Sequence, residues 1–236
     1  MRKSVSKILA ASGPNGDVEA VRQLGQEARD SAADAIALLG NLTAKGAHPR
    51  EYGNILKAAG ETRLPSYYIP GPDDAPLAEI LREAASFEVA FPNVRGIHST
   101  FALAPAYVLW SGWGGMIDDD PNRGRDESAA LCYPGWEVVY RLKFLQDLKE
   151  YQKVFLFTTV PEHKGVGQKG SLMLAELIKT YKPRLVLVGG EEQRQVTIGT
   201  SSVVTLGSLT NGDFALIDLR KKEVTFRTLQ RSAKAA

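Results

Sequence analysis

Residues Ile8-Leu-Ala-Ala-Ser-Gly-Pro-Asn-Gly-Asp-Val-Glu-Ala-Val21 decide how the chain is read. Lys7 to Ala11 is an apolar run too short for a helix and suits a buried strand. Ser12 to Gly16 is dense in turn-forming residues. Asp17 and Glu19 then stand where a helix N-terminus favours negative charge. A buried strand that ends in an open turn against a helix start is where α/β proteins place ligands, so function should centre here.

The pattern repeats outward from this unit. Val18 to Ala33 reads as a helix, with Val21, Leu24 and Ala28 at helical spacing. Asp34 to Leu39 is a nearly all-apolar strand, as expected of a sheet covered on both faces. Helices are expected at Tyr52–Ala59 and Pro76–Ala85, with a strand at Pro65–Pro70 between them. This alternation predicts parallel pairing with right-handed crossovers. Further on, strands are expected at Val94–Phe101 and Tyr107–Gly112, then an exposed polar loop over Ile117–Ser128 containing Asp118-Asp119-Asp120. An amphipathic helix is expected at Trp136–Tyr151, with Val139, Leu142, Leu145 and Leu148 on one face. The α/β rhythm resumes with a strand at Lys153–Thr158, a helix at Ser171–Tyr181 and a strand at Leu185–Val188. A run of β structure then reaches Phe226, with a turn at Asn211-Gly212. No repeat or linker interrupts the chain. One domain spanning 1–236 is the expectation, with frayed ends at 1–6 and 229–236.

Composition narrows the function classes. Basic and acidic residues number 29 and 27, a balance that argues against nucleic acid or an anionic membrane as partner. The single cysteine, Cys132, excludes an internal disulfide and fits a reducing compartment. No run reaches the roughly 18 apolar residues of a membrane span. A cytoplasmic protein is expected.

Loops at strand ends stand out at Ser12–Asp17, Gly40–Gly46, Gly71–Asp74, Thr158–Gly165 and Gly189–Glu192. With their contexts they resemble the calcineurin-like metallophosphoesterases over nearly the whole chain. Leu9 to Val21 is similar to the family's first motif, Asp34-Ala-Ile-Ala-Leu-Leu-Gly-Asn-Leu42 to its second, and Ile69-Pro-Gly-Pro-Asp-Asp74 to its third. Gly207 to Leu219 is similar to its closing strand pair. The resemblance is nearest to a small bacterial group with eroded metal motifs. It implies an α/β (α+β) fold of the four-layer α-β-β-α type.

The resemblance also implies two metal ions held by Asp, His and Asn, because metals lower the pKa of a bridging water and stabilise attacking and leaving oxygens. Here those positions carry other residues. The first motif's Asp and His fall on Gly13 and Asn15. The bridging Asp of the second falls on Asn41, and a carboxylate three residues later on Ala44. The third motif's Asn-His pair falls on Pro72 and Asp73. The fourth motif's His falls on Thr158 or Thr159, and the two His of the fifth on Gly190 and Glu192. His48, His98 and His163 all lie elsewhere.

Asn15, Asn41, Asp73, Asp74 and Glu192 remain as oxygen donors. They are candidates to hold one hard ion (Ca²⁺, Mg²⁺ or Mn²⁺) weakly, and otherwise no cofactor is expected. Asp74 is equally suited to cap the following helix. His163, in the fourth loop, is a candidate acid or phosphate contact, or an exposed loop histidine without a role. Lys45 stands where the family tends to carry a basic residue near the phosphate. The first functional reading is a non-catalytic or weakly active protein. It would bind a phosphorylated small molecule or a protein partner in the old cleft, with the amides of Ser12-Gly13 and Gly189-Gly190 cradling the anion. The alternative is a hydrolase of phosphate mono- or diesters with a rebuilt single-metal site and His163 as acid. A scaffold using Trp110, Trp113 and the acidic loop as its surface is a third. A homo-oligomer is compatible with each.

Overall fold

The fold is described from a computed structural model, which covers residues 5–120, 122–166 and 170–230. The chain opens β1 (Lys7–Ser12), α1 (Val18–Asp30), β2 (Ala35–Leu39), α2 (Pro49–Glu61), β3 (Ser66–Ile69), α3 (Leu77–Ala90) and β4 (Val94–Gly96). It continues β5 (Phe101–Ala104), β6 (Val108–Trp113), β7 (Met116–Asp118), β8 (Cys132–Pro134), α4 (Gly135–Arg141) and β9 (Lys153–Phe157). It closes α5 (Leu172–Tyr181), β10 (Leu185–Gly189), β11 (Arg194–Ile198), β12 (Ser201–Leu206), β13 (Asp213–Asp218) and β14 (Glu223–Thr228).

Two six-stranded sheets form, in the orders β14-β13-β1-β2-β3-β4 and β11-β12-β10-β9-β6-β5. Strand parity assigns the layers. Leu9, Ala11, Ile36 and Leu38 face α1, α2 and α3, packing on Val21, Leu24, Ile55, Leu56 and Ile80. Their neighbours Ile8, Ala10, Ala35, Ala37 and Leu39 face the second sheet, meeting Trp110, Val154, Leu156, Leu185, Leu187 and Val204. The far side of that sheet, with Phe155, Phe157, Val186 and Val188, packs on Val138 of α4 and Leu174 and Ile178 of α5. The result is the expected four-layer α-β-β-α sandwich. Both sheet faces are covered, which is why β2, β9 and β10 are buried at every position.

Several local expectations are corrected. Val94–Phe101 is not one strand: β4 pairs with β3 in the first sheet and β5 with β6 in the second, with His98 at the crossing. The segment Trp136–Tyr151 is α4 followed by a 3-10 turn over Leu142–Asp147. Its apolar residues recur every three positions from Val139, which is the 3-10 period. The buried stripe is Val138, Leu142 and Leu145, while Val139 is exposed. The acidic stretch is not a free loop. Met116–Asp118 pairs in parallel with β8, and Asp119 accepts Ser171 Oγ at 2.7 Å and the Met173 amide at 3.2 Å. Pro121 lies outside the described residues. Trp110 and Trp113 are core, each 0% exposed, so they offer no docking surface. The strands after Ser201 divide between the sheets: β12 runs in the second, and β13 crosses to pair antiparallel with β1. Of the ends expected to fray, Val5 and Leu229 are buried and the Ser6 amide donates to Asp34 at 2.9 Å. Residues 1–4 and 231–236 lie outside the described residues.

Candidate functional site

β1, β2 and β3 run parallel, as do β6, β9, β10 and β12. Parallel strands put their C-terminal ends on one edge, and the two sheets meet there through a bridge between Ser12 and Ser208. The rim so formed is Ser12-Gly13, Gly40-Asn41, Pro70-Gly71, Gly114-Gly115, Thr158, Gly189-Gly190 and Gly207-Ser208. The expected loops do converge on it.

Backbone fills much of this rim. A Cβ on Gly40 would lie 1.8 Å from the Gly71 nitrogen, and one on Gly114 would lie 2.0 Å from the Pro70 carbonyl oxygen. Only glycine permits such approach. The Gly13 amide donates to the Leu39 carbonyl at 2.9 Å, and the Gly190 amide to the Leu206 carbonyl at 3.0 Å. Neither is left to hold an anion, which corrects the expectation that these two loops form a phosphate cradle. Thr158 Oγ1 donates to the Gly115 carbonyl at 2.6 Å, and Thr159 Oγ1 accepts the Ile117 amide at 2.7 Å. Both threonines at the fourth motif therefore bind backbone.

Asp74 is the centre of the network. It is 1% exposed. Oδ2 accepts the amides of Gly71 (2.7 Å) and Leu42 (2.8 Å), and Oδ1 accepts the Thr43 amide (2.8 Å) and Oγ1 (2.9 Å). Burial pushes its pKa up, against the downward pull of those hydrogen bonds, and burial wins. It does not cap α3, whose N-cap is Pro76 with no side-chain bond. It ties the second loop to the third.

Asn41 and Asp73 close on each other. Asn41 Nδ2 donates to Asp73 Oδ2 at 2.7 Å, and the Asp73 amide donates to Asn41 Oδ1 at 2.9 Å. Asn15 is exposed, its Nδ2 on the Gly13 carbonyl at 3.2 Å. Glu192 is exposed and paired with Arg194. His163 is half-buried, and its Nδ1 is buried with no partner among the described residues. No described side-chain hydrogen bond or ion pair joins His163, Asn15 or Glu192 to the Asn41–Asp73–Asp74 cluster; Asn15 meets it through its backbone, whose amide donates to the Asn41 carbonyl at 3.0 Å. Lys45 is exposed.

His98 is the histidine that sequence reasoning passed over. It lies at the β4–β5 crossing, behind the rim. Its Nδ1 accepts the Gly114 amide at 3.0 Å, which puts any ring proton on Nε2, 3.4 Å from the Tyr133 hydroxyl. Burial, aided by Arg141, lowers its pKa from 6.5 to about 4. It is a neutral support for the rim. No motif marks it, because its partners come from distant segments.

The profile described as metallophosphoesterase, calcineurin superfamily, matches residues 1–229. The chain belongs to this family. TT1561 of Thermus thermophilus is 44% identical, over 96% of this chain and 100% of that one, with a TM-score of 0.92. A second solved structure is 23% identical, over 95% and 99% of the two chains, with a TM-score of 0.85. An archaeal phosphodiesterase shares the fold at 12% identity and a TM-score of 0.53, over 94% of this chain and 99% of that one. No curated protein matches.

The donor set does not fit the pair of metal ions that metallophosphoesterases of this superfamily carry. Gly13, Pro72 and Gly190 bring no side-chain ligand, and both Asp74 oxygens are taken by protein donors. Among the described residues, no three His, Cys, Asp or Glu converge to hold an ion. No helix among them is long and apolar enough to cross a membrane.

Proposed function

We propose that this metallophosphoesterase-family chain is a binding protein that has given up two-metal hydrolysis. The observation that carries the reading is the donor set: Gly13, Pro72 and Gly190 offer no ligand, Asn41 and Asp73 bond to each other, and the remaining loop carboxylate, Asp74, faces inward. In a metal centre, loop carboxylates point outward at cations. Here the buried carboxylate turns inward and is used up by the backbone of its own loops. The frame persists because these contacts hold the strand ends together without ions. The ligand is a phosphorylated small molecule at the outer rim, where Lys45, Asn15 and His163 supply polar contacts. With the Gly13 and Gly190 amides engaged, those side chains carry its recognition.

The test uses p-nitrophenyl phosphate and bis-p-nitrophenyl phosphate with added Mn²⁺. The expected result is no turnover above buffer, together with a rise in melting temperature on adding p-nitrophenyl phosphate that is lost in Lys45→Ala/His163→Ala. Two tightly bound transition metals with turnover abolished by Asp73→Ala would overturn the reading. Metal-dependent turnover lost in Glu192→Ala would instead establish the rebuilt single-metal hydrolase.

A further inference from the structure

The edge opposite the rim holds a feature that phosphoester chemistry does not use. A cavity of about 850 Å³ opens where β9 and β10 begin, beside the C-terminal end of α5. Lys149, Lys153, Lys182 and Arg184 line it, together with Tyr151 and Tyr181, and among the described residues its one lining carboxylate is Glu150. The whole chain carries a formal charge of just +2, so these cations are a local concentration and not a sample of a basic surface.

Two of the cations are fixed. Lys153 is only 5% exposed, and its Nζ donates to the carbonyls of Tyr151 at 3.0 Å and Lys149 at 3.3 Å. An ammonium has three N–H groups, so one remains for a ligand. Burial lowers the pKa of this amine, and an incoming negative charge would restore it. Arg184 is held by Gln152 Oε1 at 3.1 Å and by the Leu219 carbonyl. Lys149 and Lys182 are exposed and enter no ion pair among the described residues. The α5 C-terminus at this edge carries about half a negative charge, which a single lysine answers. The remaining cations exceed what the fold's own electrostatics require.

We infer that this cavity binds a compact anion carrying two or more negative charges, of the pyrophosphate or tricarboxylate class. The site is separate from the strand-end rim and does not depend on the function proposed there. Held cations on the wall cost little ordering when the anion enters, and the two exposed lysines close over it.

Isothermal titration with pyrophosphate and, separately, with citrate tests this, in chelator-treated buffer of low ionic strength at pH 7. One site is expected, with affinity falling as NaCl is raised. Lys149→Gln/Lys182→Gln removes two exposed charges without touching the core, so its melting temperature should match the parent's. Its affinity should fall roughly 25-fold, about fivefold per charge. Binding of pyrophosphate alone assigns a phosphoryl ligand; equal binding of citrate assigns a general polyanion site. No heat with either anion at millimolar concentration would overturn the inference. So would unchanged affinity in the double variant, since the anion would then sit elsewhere.

Discussion

Asp74→Asn separates a structural carboxylate from a metal ligand. The side chains are nearly the same size, so the change acts through hydrogen bonding and charge and not through packing. The best fit places the amide oxygen where Oδ2 sits, keeping the Gly71 and Leu42 amides. The new NH₂ then faces the Thr43 amide and hydroxyl. The hydroxyl rotates to accept, but the Thr43 N–H is left buried and unpaired, at about 1–3 kcal/mol. The two bonds that remain lose their charge assistance, but the cost of burying that charge, which outweighs it, is removed as well. The reverse orientation strands two backbone amides and is worse. A loss of about 1–3 kcal/mol is therefore expected, a substantial part of a typical domain's stability. Urea unfolding at pH 7 followed by circular dichroism measures it, with the m-value checked for constancy. An outward-facing metal ligand behaves oppositely: without its ion, removing the charge relieves repulsion and stability holds or rises. A loss below about 1 kcal/mol would refute the inward role assigned to Asp74.

Other expectations follow from the same network. His98 has a pKa near 4 in the fold and an ordinary value of 6.5, so the unfolded chain binds the proton first. Stability is full above pH 6.5 and falls by about 3 kcal/mol as pH drops toward 4; in His98→Gln, unfolding curves at pH 7.5 and 5 should lose that part of the slope. Gly40→Ala puts a methyl 1.8 Å from the Gly71 nitrogen, and should cost more than about 4 kcal/mol or abolish soluble expression, whereas Gly124→Ala, with nothing nearby and no left-handed φ, should cost under about 1 kcal/mol. Tyr52 is wholly buried with no partner for its hydroxyl among the described residues, so Tyr52→Phe should be neutral or stabilising by up to about 1 kcal/mol in thermal unfolding.

The frame was legible because it rests on local signals. The apolar run to Ala11 and the helix start at Asp17 appear as read, with β1 running one residue further, through Ser12; Asp17, read for its charge, also caps the helix, its Oδ1 accepting the Ala20 amide at 2.9 Å. Buried strands such as Ala35–Leu39 announce themselves by unbroken hydrophobicity. The site was legible in position and not in direction. Position along the chain brought Asn41, Asp73 and Asp74 to one place. Whether a carboxylate points at solvent or at its own backbone depends on which amides lie within 3 Å, and those come from another loop. For the same reason His98 went unread: its Gly114 and Tyr133 partners are 16 and 35 positions away. Glu192 fits its motif in register, yet Arg194 two residues on claims its carboxylate.

What holds the strand-end loops together also bears on chelation. In a two-metal centre the cations join loops that would otherwise repel, and binding adds stability by mass action. An ion present at a hundred times its dissociation constant contributes about 2.7 kcal/mol. For a chain of this length that is worth roughly 5–10 °C in melting temperature. Here the same loops are joined by neutral and charge-assisted bonds within the protein: Asp74 to residues 42, 43 and 71, Asn41 to Asp73, and the Gly13 amide to β2. These bonds close the loops with groups of the protein itself. Incubation with EDTA followed by differential scanning calorimetry should therefore leave the melting temperature unchanged within about 1 °C. Restoring Mn²⁺, Mg²⁺ or Ca²⁺ should not raise it. A fall of about 5 °C or more, reversed by one of these ions, would show that an ion and not the Asp74 carboxylate closes the rim.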